Sequence, residues 1–185
     1  MYRISIISSS VRAGRKSHRV ALYLKSYFEE KGLADTDIID LNSYKFPLFE
    51  ERLAFQKEPP KGAVEFAERI KSSDGVIIVT PEYNGGYPAS LKNVIDLLYK
   101  EWYHKPVAIS TVSEGNFGGS QVITSLQFTL WKMKALTVPA LLPFPQVSES
   151  FDENGVPVNR EAIEKRTSVF INELLWLIEA AIKMK

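Results

Sequence analysis

The chain has 185 residues, of which 45% are hydrophobic and 24% charged, and its 23 basic and 22 acidic side chains give a formal net charge of +1. This composition is typical of a globular protein, and we expect a single domain over residues 1–185. The near-neutral charge offers no electrostatic basis for nucleic-acid binding. It also fits poorly with an acidic electron carrier that docks on other proteins by charge.

The residue types that carry metal and thiol chemistry are scarce. The absence of cysteine excludes thiol nucleophiles, disulfides and thiolate-held clusters, and two histidines, His18 and His104, are too few for a multi-histidine metal site. Redox chemistry would therefore require a bound organic cofactor. Because the first residues enter a strand pattern without a signal-type apolar region, and no run is long enough to span a bilayer, we expect a cytoplasmic protein without a membrane partner.

Strand and helix patterns alternate along the chain. Strand patterns are predicted at 4–7, 37–41, 75–80, 106–112 and 135–142. Helical patterns follow at 17–31, 61–72, 91–98, 120–134 and 160–185. Five such repeats predict an α/β fold, a doubly wound parallel sheet ordered 2-1-3-4-5 with helices on both faces. The 61–72 helix is predicted on Val64, Ala67, Glu68 and Ile70, which would share its inner face.

The segment 42–60 is longer than most connections in a compact domain. We expect either a functional flap or a packed surface excursion.

The most informative stretch is 75–98. Val76 to Val79 form an unbroken β-branched and apolar run, as in a strand covered on both faces. The second loop (81–86, PEYNGG) follows, and then a helix. In open parallel sheets, ligands bind at the loops that leave the carboxyl ends of strands. Tyr83 beside turn residues that allow close backbone approach predicts a site for a planar heterocycle.

The first loop (8–18) follows the first strand. It lacks the glycines of a dinucleotide-binding or P-loop motif but carries several serines, Arg12 and Arg15 at a helix start. Hydroxyl and guanidinium groups at a helix N-terminus suit a terminal monophosphate. The alternative is a solvated basic loop in which Ser17 only caps the helix.

The third loop (113–119, SEGNFGG) lies after the fourth strand and is a weak signal alone. Together, the three loops follow strands that are neighbours at the switch point of the predicted sheet. One loop would hold a phosphate, and the other two would hold a ring from its two sides.

Three motifs resemble those of the NADPH-dependent FMN reductase family of flavodoxin-like proteins, which includes quinone, azo-dye and chromate reductases. They are SSVRAGRKS at 9–17, TPEYNGGYPASLKNVID at 80–96 and SEGNFGG at 113–119. The resemblance covers nearly the whole chain. It implies a flavodoxin-like fold, an FMN cofactor, and NADPH or NADH as the electron donor.

The resemblance also implies which residues bind FMN. The phosphate would be bound by Ser10, Arg12 and Ser17, with Arg15 and His18 as neighbours. The isoalloxazine ring would be lined by Pro81, Glu82, Tyr83, Asn84 and Gly85. Its other edge would be closed by Ser113, Gly115 and Gly118, with Glu114 at a position where relatives frequently carry an aromatic residue. Ser9 is a second departure, since many relatives have glycine there.

The expected activity is hydride transfer from reduced nicotinamide to FMN and onward transfer to a quinone, an azo compound or a similar small acceptor. No side chain is predicted to be catalytic, because the cofactor supplies the chemistry. Two alternatives remain open: a flavodoxin-type single-electron carrier, and a nonenzymatic flavin-binding or scaffold protein.

The 120–134 helix has two apolar faces, which is a pattern typical of a helix with two packing partners. Phe128 and Trp131 lie roughly opposite Leu126 and Leu130 at 100° per residue. With Leu97, Tyr99, Trp102 and Tyr103, they predict a homodimer, with a tetramer as the further possibility. The alternative is that these aromatic residues lie under the chain's own 42–60 segment.

Overall fold

The computed structural model describes residues 1–184, and five parallel strands form one sheet in the predicted order β2-β1-β3-β4-β5. Every neighbouring pair runs parallel. The strands are β1 (Arg3–Ser8), β2 (Asp35–Asp40), β3 (Gly75–Pro81), β4 (Pro106–Val112) and β5 (Leu136–Phe144). The three central strands are buried over almost their whole length because helices cover both of their faces.

Two apolar clusters form the core, one on each face of the sheet. The helices are α1 (Ser17–Lys31), α2 (Leu41–Tyr44), α3 (Lys61–Ser72), α4 (Ala89–Leu97), α5 (Val122–Lys132), α6 (Val147–Ser150) and α7 (Arg160–Lys183). Helices α1 and α7 pack on one face, and α3, α4 and α5 on the other. The predicted doubly wound architecture is therefore confirmed. No helix within residues 1–184 is both long and apolar enough to cross a membrane.

Most predicted boundaries lie within two residues of those observed. Helix α1 ends at Gly32, whose φ of 61° provides the left-handed C-cap that glycine favours. Helix α5 begins only at Val122, because Ser120 and Gln121 belong to a turn that precedes it. The predicted end of the last helix, Lys185, lies outside the described residues.

Two packing predictions were wrong. Val64 is 42% exposed, and α3 instead buries Ala63, Phe66, Ala67 and Ile70. Trp102 is fully buried, and its indole N–H donates to the Ile95 carbonyl at 3.2 Å. Leu97 is buried as well. Both belong to the chain's own core, so neither is available to a second subunit.

The 42–60 segment is fastened to the body of the protein. Asn93 on α4 donates to the Pro47 carbonyl at 2.8 Å and accepts from the Phe49 amide at 2.6 Å. Arg52 lies over the Tyr99 ring, 4.3 Å from its centroid. The segment is therefore a packed excursion, as one of the two expectations had it. Tyr99, one of the five aromatic residues assigned to the subunit interface, lies beneath it.

We expect Trp102→Ala to lower the free energy of unfolding by about 3–5 kcal/mol, because it removes a fully buried aromatic side chain. Trp176→Ala on α7 is the matched control: Trp176 is 66% exposed, and its loss is expected to cost no more than about 0.5 kcal/mol. Urea denaturation of both variants measures the difference. Equal costs would contradict the assignment of Trp102 to the core.

Candidate active site

A cleft of about 380 Å³ opens at the carboxyl edge of the sheet, where β1, β3 and β4 end side by side. All three loops predicted to bind a ligand contribute to it. Its walls are formed by Ser10, Arg12, Ala13, Gly14, Arg15, Lys16, Ser17, Pro81, Glu82, Tyr83, Val112, Ser113, Glu114 and Val147. The predicted meeting of three strand ends therefore produces a real cavity.

The first loop brings unpartnered hydroxyls to the start of α1. Within residues 1–184, the side-chain oxygens of Ser9 and Ser17 are buried without a hydrogen-bond partner, and no side chain caps α1. Buried hydroxyls are normally hydrogen-bonded, so an unpaired one on a cleft wall is a candidate contact for a bound ligand or water. Ser17 lines the cleft and stands at the positive end of a 15-residue helix. This donor set fits a phosphate group.

Arg15 is occupied by a partner within the protein. Its guanidinium donates two bonds of 2.5 Å to the Asp40 carboxylate and one of 2.6 Å to the Ser10 carbonyl. Burial opposes ionisation of Asp40, but the hydrogen bonds from Arg15 and from the Asn42 backbone amide, together with the charge of Arg15, outweigh it and lower the pKa of that carboxyl. Arg15 thus ties the first loop to the end of β2. Arg12, in contrast, is exposed and makes no ion pair with any described residue.

His18 lies behind the first loop and does not line the cleft. Its Nδ1 is 3.0 Å from the Ser8 hydroxyl. Burial lowers the pKa of the imidazole; Asp40 acts in the opposite direction and Arg15 adds to the lowering. The ring is therefore neutral at pH 7 and packs beneath the loop.

The second loop is a tight turn whose ends, Tyr83 and Gly86, exchange backbone hydrogen bonds of 2.8 and 3.1 Å. Asn84 and Gly85 between them have φ values of 53° and 79°, as a type I′ turn requires. The Tyr83 hydroxyl shares a 2.6 Å hydrogen bond with the buried Ser10 hydroxyl. Tyr83 therefore joins the second loop to the first.

The third loop packs tightly against its neighbours through glycine. Gly118 has a φ of 60°, and a Cβ there would lie 2.9 Å from the Pro143 Cβ. Nearby, the backbone N–H of Gln121 donates to a Glu82 carboxylate oxygen at 3.3 Å. This bond ties the start of α5 to the second loop. The lack of a side chain at Gly118 thus lets the third loop pack closely against Pro143.

Three polar side chains, from the first loop, the third loop and α6, bond to one another at the cleft. Lys16 Nζ lies 2.7 Å from Glu114 Oε1 and donates to Ser148 Oγ at 2.6 Å. Ser148 in turn donates to Glu114 Oε1 at 2.6 Å. These bonds with Lys16 and Ser148 lower the pKa of Glu114, which stays ionised.

The structure places nine of the fourteen predicted site residues on the cleft wall: Ser10, Arg12, Arg15, Ser17, Pro81, Glu82, Tyr83, Ser113 and Glu114. The other five, His18, Asn84, Gly85, Gly115 and Gly118, lie in the same loops away from the wall. Five further residues line the cleft without having been predicted from the sequence: Ala13, Gly14, Lys16, Val112 and Val147. Asp40 and Ser148, which support the cleft, were not predicted either.

A signal for one of the missed residues was present. Asp40 ends β2, the strand beside β1, so its position at the edge of the sheet followed from the predicted strand order. Ser148 carried no such signal, because it lies in a four-residue helix far along the chain.

The fold and the cleft define a flavodoxin-like protein. The family model for NADPH-dependent FMN reductases matches residues 2–149. An NAD(P)H-dependent FMN reductase of Saccharomyces cerevisiae is 32% identical over 98% of this chain and 97% of its own length. An Escherichia coli quinone reductase is 40% identical over 65% of each chain. Among solved structures, a flavoenzyme NAD(P)H:acceptor oxidoreductase from Paracoccus denitrificans superposes with a TM-score of 0.78 at 21% identity, covering 97% of this chain and 98% of that one.

The chain therefore belongs to the NADPH-dependent FMN reductase family, as its motifs predicted. It is an oxidoreductase whose cofactor is FMN and whose electron donor is NAD(P)H.

Proposed function

We propose that this enzyme passes electrons from reduced nicotinamide to FMN bound in the cleft, and from FMN to a quinone, an azo compound or a similar small acceptor. The observation that carries the proposal is the orphaned, buried Ser17 hydroxyl on the cleft wall at the start of α1, with Tyr83 and Ser113 on the walls of the same cleft. Relatives named quinone reductase and NADPH azoreductase support the acceptor class.

At the phosphate end, Arg12 and Ser17 would make the direct contacts. Arg12 is exposed toward the cleft, and the hydroxyl of Ser17 is free to bond a phosphate oxygen. Ser10 and Arg15 would support the phosphate site indirectly, because the side chains of both are already hydrogen-bonded within the protein. They hold the loop in the shape that presents the other two, with His18 packed beneath it.

At the ring end, Pro81, Glu82 and Tyr83 would face Ser113 and the third loop across the cleft. Asn84 and Gly85 set the turn that places Tyr83, and Gly118 lets the third loop lie close to Pro143. Gly115 would contribute through the backbone of the third loop. When bound, FMN supplies the capacity to accept and donate hydride and electrons. The protein's contribution is to bind, orient and partly cover the cofactor, so we assign no catalytic side chain and no metal.

A visible spectrum of the purified protein tests this function directly. We expect flavin absorption bands that bleach when NADPH is added without oxygen and return when a quinone is supplied. A flavodoxin-type carrier would bind FMN but show no steady NADPH oxidation with quinone, and a scaffold protein would show no turnover. A protein that stays colourless and takes up no added FMN would contradict the proposal.

Ser17→Ala is expected to raise the Kd for FMN roughly ten- to a hundredfold, since it removes a hydrogen bond to a charged group. The apoprotein should stay as stable as the wild type, because the Ser17 hydroxyl has no partner among the described residues. Ser168→Ala, on α7, is the control, and fluorescence titration with FMN measures both. An unchanged Kd for Ser17→Ala would remove Ser17 from the phosphate site.

We propose further that the enzyme is a homodimer that uses the outer face of α5. Phe128 and Trp131 are 61% and 64% exposed there, with ring centroids 5.7 Å apart. The opposite face of α5 is buried in the core, so this helix has a second apolar face and no second partner within residues 1–184.

Sedimentation of Trp131→Ser tests the dimer. We expect the wild type to sediment as a dimer and Trp131→Ser to shift toward monomer at micromolar concentration. Trp176→Ser is the matched control, since Trp176 is equally exposed on α7. A monomeric wild type would contradict the proposal, and a wild-type tetramer that the variant reduces to dimers would extend it.

The remaining expectations stay predictions. One domain over residues 1–185 is supported by the way α7 returns to pack beside α1 on the same face of the sheet. A cytoplasmic location can be tested by cell fractionation.

A further inference from the structure

The triangle of Lys16, Glu114 and Ser148 joins three separate parts of the chain at the cleft. Lys16 belongs to the first loop, Glu114 to the third loop and Ser148 to α6. Each side chain is bonded to the other two, at 2.6 to 2.7 Å. Lys16 and Glu114 both line the cleft. The bonds therefore cross from the predicted phosphate end of the site to the predicted ring end.

We propose that these three residues form a polar clasp that holds the first and third loops together and slows the release of FMN. The proposal rests on the proposed function, since it concerns the same cleft. In this role Lys16, Glu114 and Ser148 are positioning residues that act on the cofactor by holding the two loops. Glu114, predicted from the resemblance to line the ring, would act through Lys16.

If Glu114 did not hold the loops together, its removal would have the opposite effect on FMN binding. If Glu114 were only an acidic group on the cleft wall, it would repel the FMN phosphate, and its removal would strengthen binding. If the carboxylate instead holds Lys16 and Ser148 in place, its removal frees both loops and weakens retention of FMN. The lowered pKa of Glu114 keeps the carboxylate ionised, and the pair intact, at neutral pH.

The exposure of the pair limits the size of the effect. The side chains of Lys16 and Glu114 are 44% and 54% exposed, so water screens their attraction. Pairs of this kind change an equilibrium by about two- to fivefold. We therefore expect a change in the rate of FMN release, with little effect on the stability of the apoprotein.

The experiment measures the rate of FMN release after dilution of the holoenzyme, followed by flavin fluorescence. Lys16→Met and Glu114→Gln should each release FMN about two- to fivefold faster than the wild type. The double variant should release it no faster than the single variants, because both substitutions break one interaction. Exchange of the charges in Lys16→Glu/Glu114→Lys should restore slower release. Glu179→Gln, which breaks the Lys183–Glu179 pair on α7, is the control.

Slower release from Glu114→Gln would overturn the clasp in favour of simple repulsion. Additive effects in the double variant, or release from all variants at the wild-type rate, would also overturn it. A wild type that binds no FMN would instead contradict the proposed function. Thermal unfolding of the apoproteins separates a clasp from a general structural role, because only a structural role would lower the melting temperature of Glu114→Gln.

Discussion

The site depends on the parallel pairing of β3 with β1 on one side and β4 on the other. In this register Ser8 lies beside Val79, and Pro81 beside Val112, so three strands end at one edge within a residue or two of each other. Parallel strands must send their connections over the faces of the sheet, so the loops that follow them start at the same edge. The pairing of the strands therefore brings three loops that are far apart in sequence to one cleft, without any help from contacts between loop side chains.

Hydrogen bonds between the loops then fix the shape of the cleft. The Tyr83 hydroxyl joins the second loop to Ser10 of the first, and Glu82 joins it to Gln121 at the start of α5. Arg15 fastens the first loop to Asp40 at the end of β2. With the walls held in this way, binding a cofactor orders fewer protein groups than it would in a mobile loop. Less of the binding energy is then lost to conformational entropy.

Much of this architecture follows from local sequence pattern. The unbroken apolar run at 76–79 predicted a strand buried on both faces, and the segment after it, rich in Pro, Asn and Gly, predicted a turn, in which Asn84 and Gly85 have positive φ values. Side-chain partners were harder to predict, because they depend on three-dimensional placement. Arg15 and Arg12 look equivalent in a sequence, yet only Arg15 is near a carboxylate. The error with Trp102 has the same origin, since a tryptophan after a helix can turn inward or outward and periodicity does not say which.

The distribution of charge in the cleft favours an enzyme that takes small acceptors over a carrier that docks on proteins. Of the three cations on the wall, Arg15 is paired with Asp40 and Lys16 with Glu114, which leaves Arg12 for a ligand anion. Within residues 1–184, the wall cation without an ion-pair partner therefore lies in the first loop, just before α1. Glu82 on the same wall accepts a 3.3 Å hydrogen bond from the Gln121 backbone amide and has no ion-pair partner within residues 1–184, and the chain as a whole carries a net charge of only +1. Electrostatic steering matters most when two large charged surfaces must find one orientation. A small, weakly charged acceptor does not depend on such steering, and a chain with a net charge of +1 offers no strong overall charge for docking on a protein partner.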